Sequence, residues 1–141
     1  MSGLVFANTL YWAALIDPRN GLHSEATEMS VLIAGRPIVT ADEVVTELLT
    51  LLAGASHLRY RATVAVQAIL DDPSIRVLPQ TRESFLAGFR LYCNRPDKAC
   101  SLPDCISMCA MHQKGITDVL TNDRHFEQEG FRALFRQPAG D

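Results

Sequence analysis

Three carboxylates and one amide stand at the edges of short apolar runs that lie far apart in the chain. They are Asn8 in LVFANT, Glu47 in VVTELLTLL, Asp104 in SLPDCIS and Asp123 in VLTNDRHF. Three of the four follow a strand-like run directly or lie in the first turn of a helical one. Such positions converge at the carboxyl edge of an α/β sheet, where ligands bind. Because clustered oxygen ligands suit Mg²⁺ or Mn²⁺, the pattern predicts a metal-dependent site for phosphate chemistry.

Each of these residues also has a purely structural interpretation. Asp104 lies three residues after Ser101, where an acid complements the helix dipole, and Asp123 could simply cap the short helix that follows it. Asn8 could be an ordinary turn residue. Glu47 lies beside the apolar stripe of its helix, so its carboxylate should be partly buried. An unpaired carboxylate there is costly, and a metal or a basic partner would relieve that cost.

The composition predicts one ordinary domain. The chain has 141 residues, 48% of them hydrophobic, which is enough to bury a sizeable core. No apolar run is long enough to span a bilayer, and the N-terminus has no basic region followed by an apolar one. We therefore expect a cytoplasmic protein without membrane contact. The net charge of −3 means that any contact with nucleic acid must use a local basic patch.

Short β-branched runs alternate with helical patterns, which predicts a single α/β domain around a mostly parallel sheet. The predicted strands cover residues 4–7, 38–39, 75–78, 119–120 and 131–134. The predicted helices cover residues 11–16, 23–34, 41–52, 60–70, 81–92, 102–115 and 124–128. Thr40 and Glu43 have the spacing of a capping box, and Ser101 and Gly115 are the expected ends of the sixth helix.

The joint pattern resembles the PIN domain, and most closely the VapC-type toxins of bacterial toxin–antitoxin pairs. The likeness runs nearly end to end over residues 1–141. Its most specific blocks are S-x-x-D opening a helix and T-x-D-R-H-F after a strand. The resemblance implies a three-layer α/β/α fold and the activity of a metal-dependent endoribonuclease. It assigns the catalytic and metal-binding positions to Asn8, Glu47, Asp104 and Asp123, and matches Thr9 and Thr121 to hydroxyl residues of the family motifs.

The mechanism implied by the resemblance suits these residue types. One or two Mg²⁺ or Mn²⁺ ions would bind among the four positions, activate a water molecule and neutralise charge on the phosphodiester. Asp97 could orient Ser101 or a water on the metal, or it could be a solvated loop acid. The implied partners are an RNA substrate, a small antitoxin with a basic tail, and a second copy of the chain in a homodimer.

Asn8 departs from the family pattern, which has D-T-S where this chain has N-T-L. An amide offers a neutral oxygen but no negative charge, so the site should hold its metal less tightly. An engineered inactive variant, a natural loss of function and an enzyme that tolerates the change all remain open. The alternative function is a non-catalytic PIN-like module that binds RNA or an antitoxin without cutting. A phosphatase or receiver domain is a weaker idea, because the aspartates that those folds require are not in place.

Cys105, Cys109 and His112 share one helix face and could form a zinc site. Structural zinc sites usually take ligand pairs from separate elements, so core packing is the favoured interpretation. The four cysteines crowd into residues 93–109, as free thiols in a reducing compartment would.

Two aromatic segments remain. Arg59 and Arg61 flank Tyr60 and could track an RNA backbone, or they could belong to a solvated helix entry. Tyr11 and Trp12 are expected in the core or at a dimer contact.

Overall fold

The computed structural model describes residues 3–136. Within this range the strands are β1 (Val5–Ala7), β2 (Ile38–Ala41), β3 (Ile75–Leu78), β4 (Asp118–Leu120) and β5 (Arg132–Ala133). The α-helices are α1 (Thr9–Ile16), α2 (His23–Leu32), α3 (Asp42–Leu51), α4 (Ser56–Asp71), α5 (Arg82–Cys93), α6 (Leu102–Lys114) and α7 (Arg124–Gln128). The alternation of strands and helices confirms the predicted α/β class.

The five strands described form one sheet in the order β3-β2-β1-β4-β5, and every pairing is parallel. All three residues of the central strand β1 are fully buried. Because successive side chains point to opposite faces of a sheet, both faces must be covered by helices. The predicted three-layer arrangement with a mostly parallel sheet is therefore confirmed, and the sheet is fully parallel over the part of the chain that the structure describes.

The register between β1 and β4 decides which residues meet at the carboxyl edge. Ala7 pairs with Leu120, so the next residue of each strand, Asn8 and Thr121, leaves the sheet at neighbouring points. Helix α1 begins at Thr9, immediately after this edge. The polar residues that follow the two strands are thereby brought to one end of the sheet.

The predicted capping box at Thr40 and Glu43 is wrong. Strand β2 continues to Ala41 because it pairs with β3 as far as Leu78. The Thr40 hydroxyl donates a hydrogen bond to the carbonyl oxygen of Ala7 at 2.9 Å, and α3 begins without a side-chain cap. Pairing with the neighbouring strand thus takes precedence over the local capping signal.

Other boundaries follow local signals more closely. Helix α6 begins with a complete capping box between Ser101 and Asp104, and it ends at Gly115 in the left-handed conformation (φ 67°). Both ends were predicted. Helix α4 begins at Ser56, several residues before the predicted start, and no side chain caps it. No helix within residues 3–136 is long and apolar enough to cross a membrane.

The loop before α6 is attached to the end of α7. Arg95 donates to both carboxylate oxygens of Glu129, at 2.6 and 3.1 Å, and Lys98 donates to the side chain of Gln128. The hydrogen bond and charge of Arg95 hold the pKa of Glu129 below its ordinary value. These contacts connect the two segments that carry Asp104 and Asp123.

Candidate active site

A cleft of about 380 Å³ opens at the carboxyl edge of the sheet. Its lining consists of Asn8, Thr9, Leu10, Ala13, Asn20, Leu22, Glu47, Leu51, Asp104, Thr121 and Asp123. All four residues of the predicted metal site lie here, together with the two predicted hydroxyl residues. Five different elements or loops supply them, so their meeting is a property of the fold and not of any one segment.

Glu47 is held by a partner that the sequence did not suggest. The Thr9 hydroxyl, at the start of α1, donates to Oε1 of Glu47 at 2.5 Å. Glu47 is half-buried, as predicted, but a neutral hydroxyl supplies the hydrogen bond and not a basic side chain. Its Oε2 accepts no hydrogen bond from residues 3–136.

Asp104 and Asp123 each accept, through one carboxylate oxygen, a hydrogen bond from a backbone N–H at the N-terminal end of a helix. The backbone N–H of Ser101 donates to Oδ2 of Asp104 at 3.3 Å, and the Ser101 hydroxyl accepts from the Asp104 backbone N–H. Asp123 caps α7 by accepting from the backbone N–H of His125 at 2.9 Å, again through one oxygen, Oδ1. Both structural interpretations from the sequence are thus confirmed, and both carboxylates still keep one oxygen for the cleft.

Asn8 has a buried oxygen without a partner. The residue is 5% exposed, and its Oδ1 accepts no hydrogen bond in the described part of the chain. A buried acceptor left unsatisfied costs about 1–3 kcal/mol, and such groups in proteins almost always have a partner. The amide oxygen therefore stands where a donor or a cation would be favourable.

The carboxylates of the cleft act on one another electrostatically. Burial raises the pKa of Asp104, and the negative charges of Glu47 and, more weakly, Asp123 raise it further. The hydrogen bonds from Ser101 oppose this shift. A positive charge in the cleft would relieve both the desolvation and the repulsion.

The donor set suits a hard divalent cation in its chemistry. The free carboxylate oxygens and the orphaned Asn8 oxygen are the ligands that Mg²⁺ and Mn²⁺ prefer. Within residues 3–136, however, no three His, Cys, Asp or Glu side chains are close enough to form a metal site by themselves. Asn8 is a further oxygen donor in the lining of the cleft, although it brings no charge.

Four residues predicted near the site lie outside the lining of the cleft. Ser101 acts on the site through its bonds to Asp104. Asp97 is exposed in the loop between α5 and α6. Arg61 donates to the carbonyl oxygen of Ile16 at 2.9 Å, at the end of α1, and Arg59 is exposed on α4.

The cysteine and aromatic predictions have mixed outcomes. Cys105 is buried, as expected for core packing, but His112 on the same helix is exposed, with its ring 4.5 Å from that of Phe131. Tyr11 and Trp12 are buried in the core of their own chain, which confirms the first of their two interpretations.

Two polar residues at the site, Asn20 and His125, were not identified from the sequence. Asn20 lines the cleft from the loop after α1, where its Oδ1 accepts from the backbone N–H of Leu22. Its segment shows only the composition of a turn. The His125 ring contacts Asp123, and the signal for it was the T-x-D-R-H-F block, in which only the hydroxyl and the acid were interpreted.

Comparison with known proteins agrees with this geometry. The sequence model of the PIN domain family matches residues 7–131. The crystal structure of the VapC20 toxin of Mycobacterium tuberculosis, described as cleaving the sarcin–ricin loop, superposes with a TM-score of 0.80 and 27% identity. That match covers 91% of this chain and 96% of the toxin. No curated protein matches the chain at a significant level of sequence similarity. Because the family model matches most of its length, the chain belongs to the PIN domain family.

Proposed function

We propose that this protein is a VapC-type ribonuclease toxin whose catalytic and metal-binding site is the cleft around Asn8, Glu47, Asp104 and Asp123. The observation that carries the proposal is the buried Asn8 oxygen without a partner, which lines the same cleft as three half-anchored carboxylates. The likeness to a toxin described as cutting the sarcin–ricin loop supports RNA as the substrate class.

Some residues at the site would bind the cation, and others position the carboxylates that bind it. Glu47, Asp104, Asp123 and the Asn8 oxygen would hold a divalent cation, Mg²⁺ or Mn²⁺. When bound, this cation would supply Lewis-acid activation of water and neutralise charge on the phosphodiester. Thr9 and Ser101 keep two of the carboxylates in fixed orientations through the oxygens that do not serve the cleft. Without positive charge in the cleft, the carboxylates would repel the RNA backbone.

The proposed toxin requires a partner that silences it. A cluster of carboxylates at the site is complementary to a cationic segment, so we infer a small antitoxin that inserts a basic side chain into the cleft. The proposed setting is the cytoplasm, where cellular RNA is the substrate.

A second function is favoured by one observation, the neutral side chain at position 8. A PIN module with a weakened cation site would bind RNA or an antitoxin without cutting. The two functions differ in their dependence on the carboxylates, since only the nuclease needs them for cation-dependent cleavage.

The test combines Mn²⁺ titration by calorimetry with cleavage of a structured RNA in Mg²⁺ or Mn²⁺, with a chelator as control. For the nuclease we expect saturable Mn²⁺ binding that Asp104→Asn weakens by about tenfold or more, roughly 1.4 kcal/mol. Asp97→Asn, which changes an exposed acid outside the cleft, is the matched control and should bind as the parent does. Binding that is equally insensitive to both substitutions would exclude the proposed cation site.

A further inference from the structure

We propose that His125 is a positioning residue for the reaction, which orients the Asp123 carboxylate so that Oδ2 is presented to the cleft. The inference rests on the proposed function, because it assumes that Asp123 binds the cation. His125 does not line the cleft, but it contacts Asp123, which does. It does not itself need to contact the cation or the RNA.

The carboxylate of Asp123 receives two hydrogen bonds from His125, both on Oδ1. The backbone N–H of His125 lies 2.9 Å from this oxygen, and the ring Nδ1 lies 2.8 Å from it. Since a carboxylate accepts, the ring nitrogen must carry a proton and donate. Oδ2 accepts no hydrogen bond from the described residues, so it is the oxygen left available to the cleft.

The ring bond adds something that the helix cap does not. The backbone bond alone is sufficient to cap α7, a helix of five residues. The terminal torsion angle of an aspartate, χ2, has a broad distribution, so a single donor leaves the carboxylate free to rotate about this bond. A second donor from another direction on the same oxygen narrows that rotation and fixes where Oδ2 points.

The same arrangement recurs at the other two acids of the cleft. Thr9 holds one oxygen of Glu47, and Ser101 holds one oxygen of Asp104. His125 completes the set, so that every carboxylate of the cleft is anchored on one side and free on the other. Partners that orient metal ligands typically contribute 10- to 100-fold to metal affinity or activity.

The test measures Mn²⁺ affinity by calorimetry in the parent and in the Asn8→Asp background. His125→Phe keeps a ring of similar shape but removes the donor, and we expect about tenfold weaker binding. His125→Asn places an amide nitrogen near the position of Nδ1 and should restore most of the affinity. His125→Leu is a second donor-free variant for the case in which Phe disturbs α7. His112→Leu, which changes an exposed histidine outside the cleft lining, should bind as its parent does.

Thermal unfolding without metal separates positioning from folding. We expect similar unfolding temperatures for the Asn and donor-free variants, so that only the affinity distinguishes them. Donor-free variants that bind Mn²⁺ as tightly as the parent, while Asp123→Asn loses binding, would overturn the inference and leave the proposed function standing. If Asp123→Asn also bound normally, or if the Asn8→Asp protein bound no Mn²⁺ at all, the proposed function would fail and the inference with it.

Discussion

At the scale of single residues, the cleft is built from side chains that satisfy only part of their hydrogen-bonding capacity. Thr9, Ser101 and His125 each supply hydrogen bonds to one carboxylate oxygen, and the other oxygens remain for a ligand. Asn8 is the exception, because its buried Oδ1 has no partner among residues 3–136. The same position is where the chain departs from the family pattern.

Introducing an acid at position 8 should therefore strengthen the site. We expect Asn8→Asp to bind Mn²⁺ about tenfold more tightly or better, roughly 1.4 kcal/mol, because the new carboxylate adds the charge that a hard cation favours. Without metal the added negative charge should lower the unfolding temperature, and Mn²⁺ should raise it by more than in the parent. Calorimetry, thermal unfolding with and without chelator, and RNA cleavage measure these three effects.

The double variants provide the control for this gain. Asp123→Asn or Asp104→Asn introduced together with Asn8→Asp should remove the gain, since the groups would share one ion. An Asn8→Asp protein that neither bound Mn²⁺ nor cut any RNA tested would favour the binding-module function over the nuclease.

At the scale of elements, the placement of Asp104 depends on a close contact between α5 and α6. A Cβ atom added to Gly88 of α5 would lie 2.3 Å from Cγ1 of Ile106 and 3.0 Å from its backbone N and Cα atoms. The side chain could turn away, but the backbone of α6 could not. The absence of a side chain at Gly88 therefore sets the distance between the two helices, and Asp104 lies two residues before Ile106.

Gly88→Ala should destabilise the fold even though alanine favours helices. The overpacking cost is about 1–3 kcal/mol, against a gain in helix propensity of about 1 kcal/mol, so we expect a net loss of up to about 2 kcal/mol in urea unfolding. Gly54→Ala is the control, because an added Cβ there meets no atom within 4 Å and the change should stay within about 0.5 kcal/mol. Equal stability of the two variants would contradict the proposed contact.

At the scale of the whole molecule, the exposed apolar surface does not include the two aromatic residues for which a dimer contact was considered. A dimer contact was one of the two interpretations of Trp12, but this residue is 7% exposed and belongs to the core. Leu51 is 61% exposed, and helix α5 presents Phe85, Phe89 and Tyr92 at 38%, 46% and 49% exposure. Residues at this spacing share one helix face, and the two phenylalanine rings are stacked. An exposed apolar stripe of this kind is typical of an interface.

We still expect a symmetric homodimer, with α5 as the contact surface. Light scattering at micromolar concentration should give twice the mass of the chain. Phe89→Glu should shift the protein towards monomers, because it buries a charge in the contact, whereas Val31→Glu, on the exposed face of α2, should not. A monomer mass for the parent would refute the homodimer, and a dimer that tolerates Phe89→Glu but not Val31→Glu would move the interface to α2.

Features whose causes lie within a few residues could be predicted from the sequence. The buried strand β1 follows from an uninterrupted apolar run, and the ends of α6 follow from the capping chemistry of Ser101 and Gly115. The family resemblance carried the four positions of the candidate site, which the structure brings into one cleft. These features were predictable because each depends on neighbouring residues or on a short continuous motif.

Contacts between distant segments became apparent only in the folded chain. The Thr9–Glu47 hydrogen bond joins residues 38 positions apart, and Thr40 serves the Ala7 carbonyl because β2 lies beside β1. Arg61 likewise bonds the end of α1, 45 positions away, and lies outside the cleft. Such partners depend on the register of the strands and on how helices cross them. A local pattern carries no information about either, so the oxygens left free for a cation could be identified only in the folded chain.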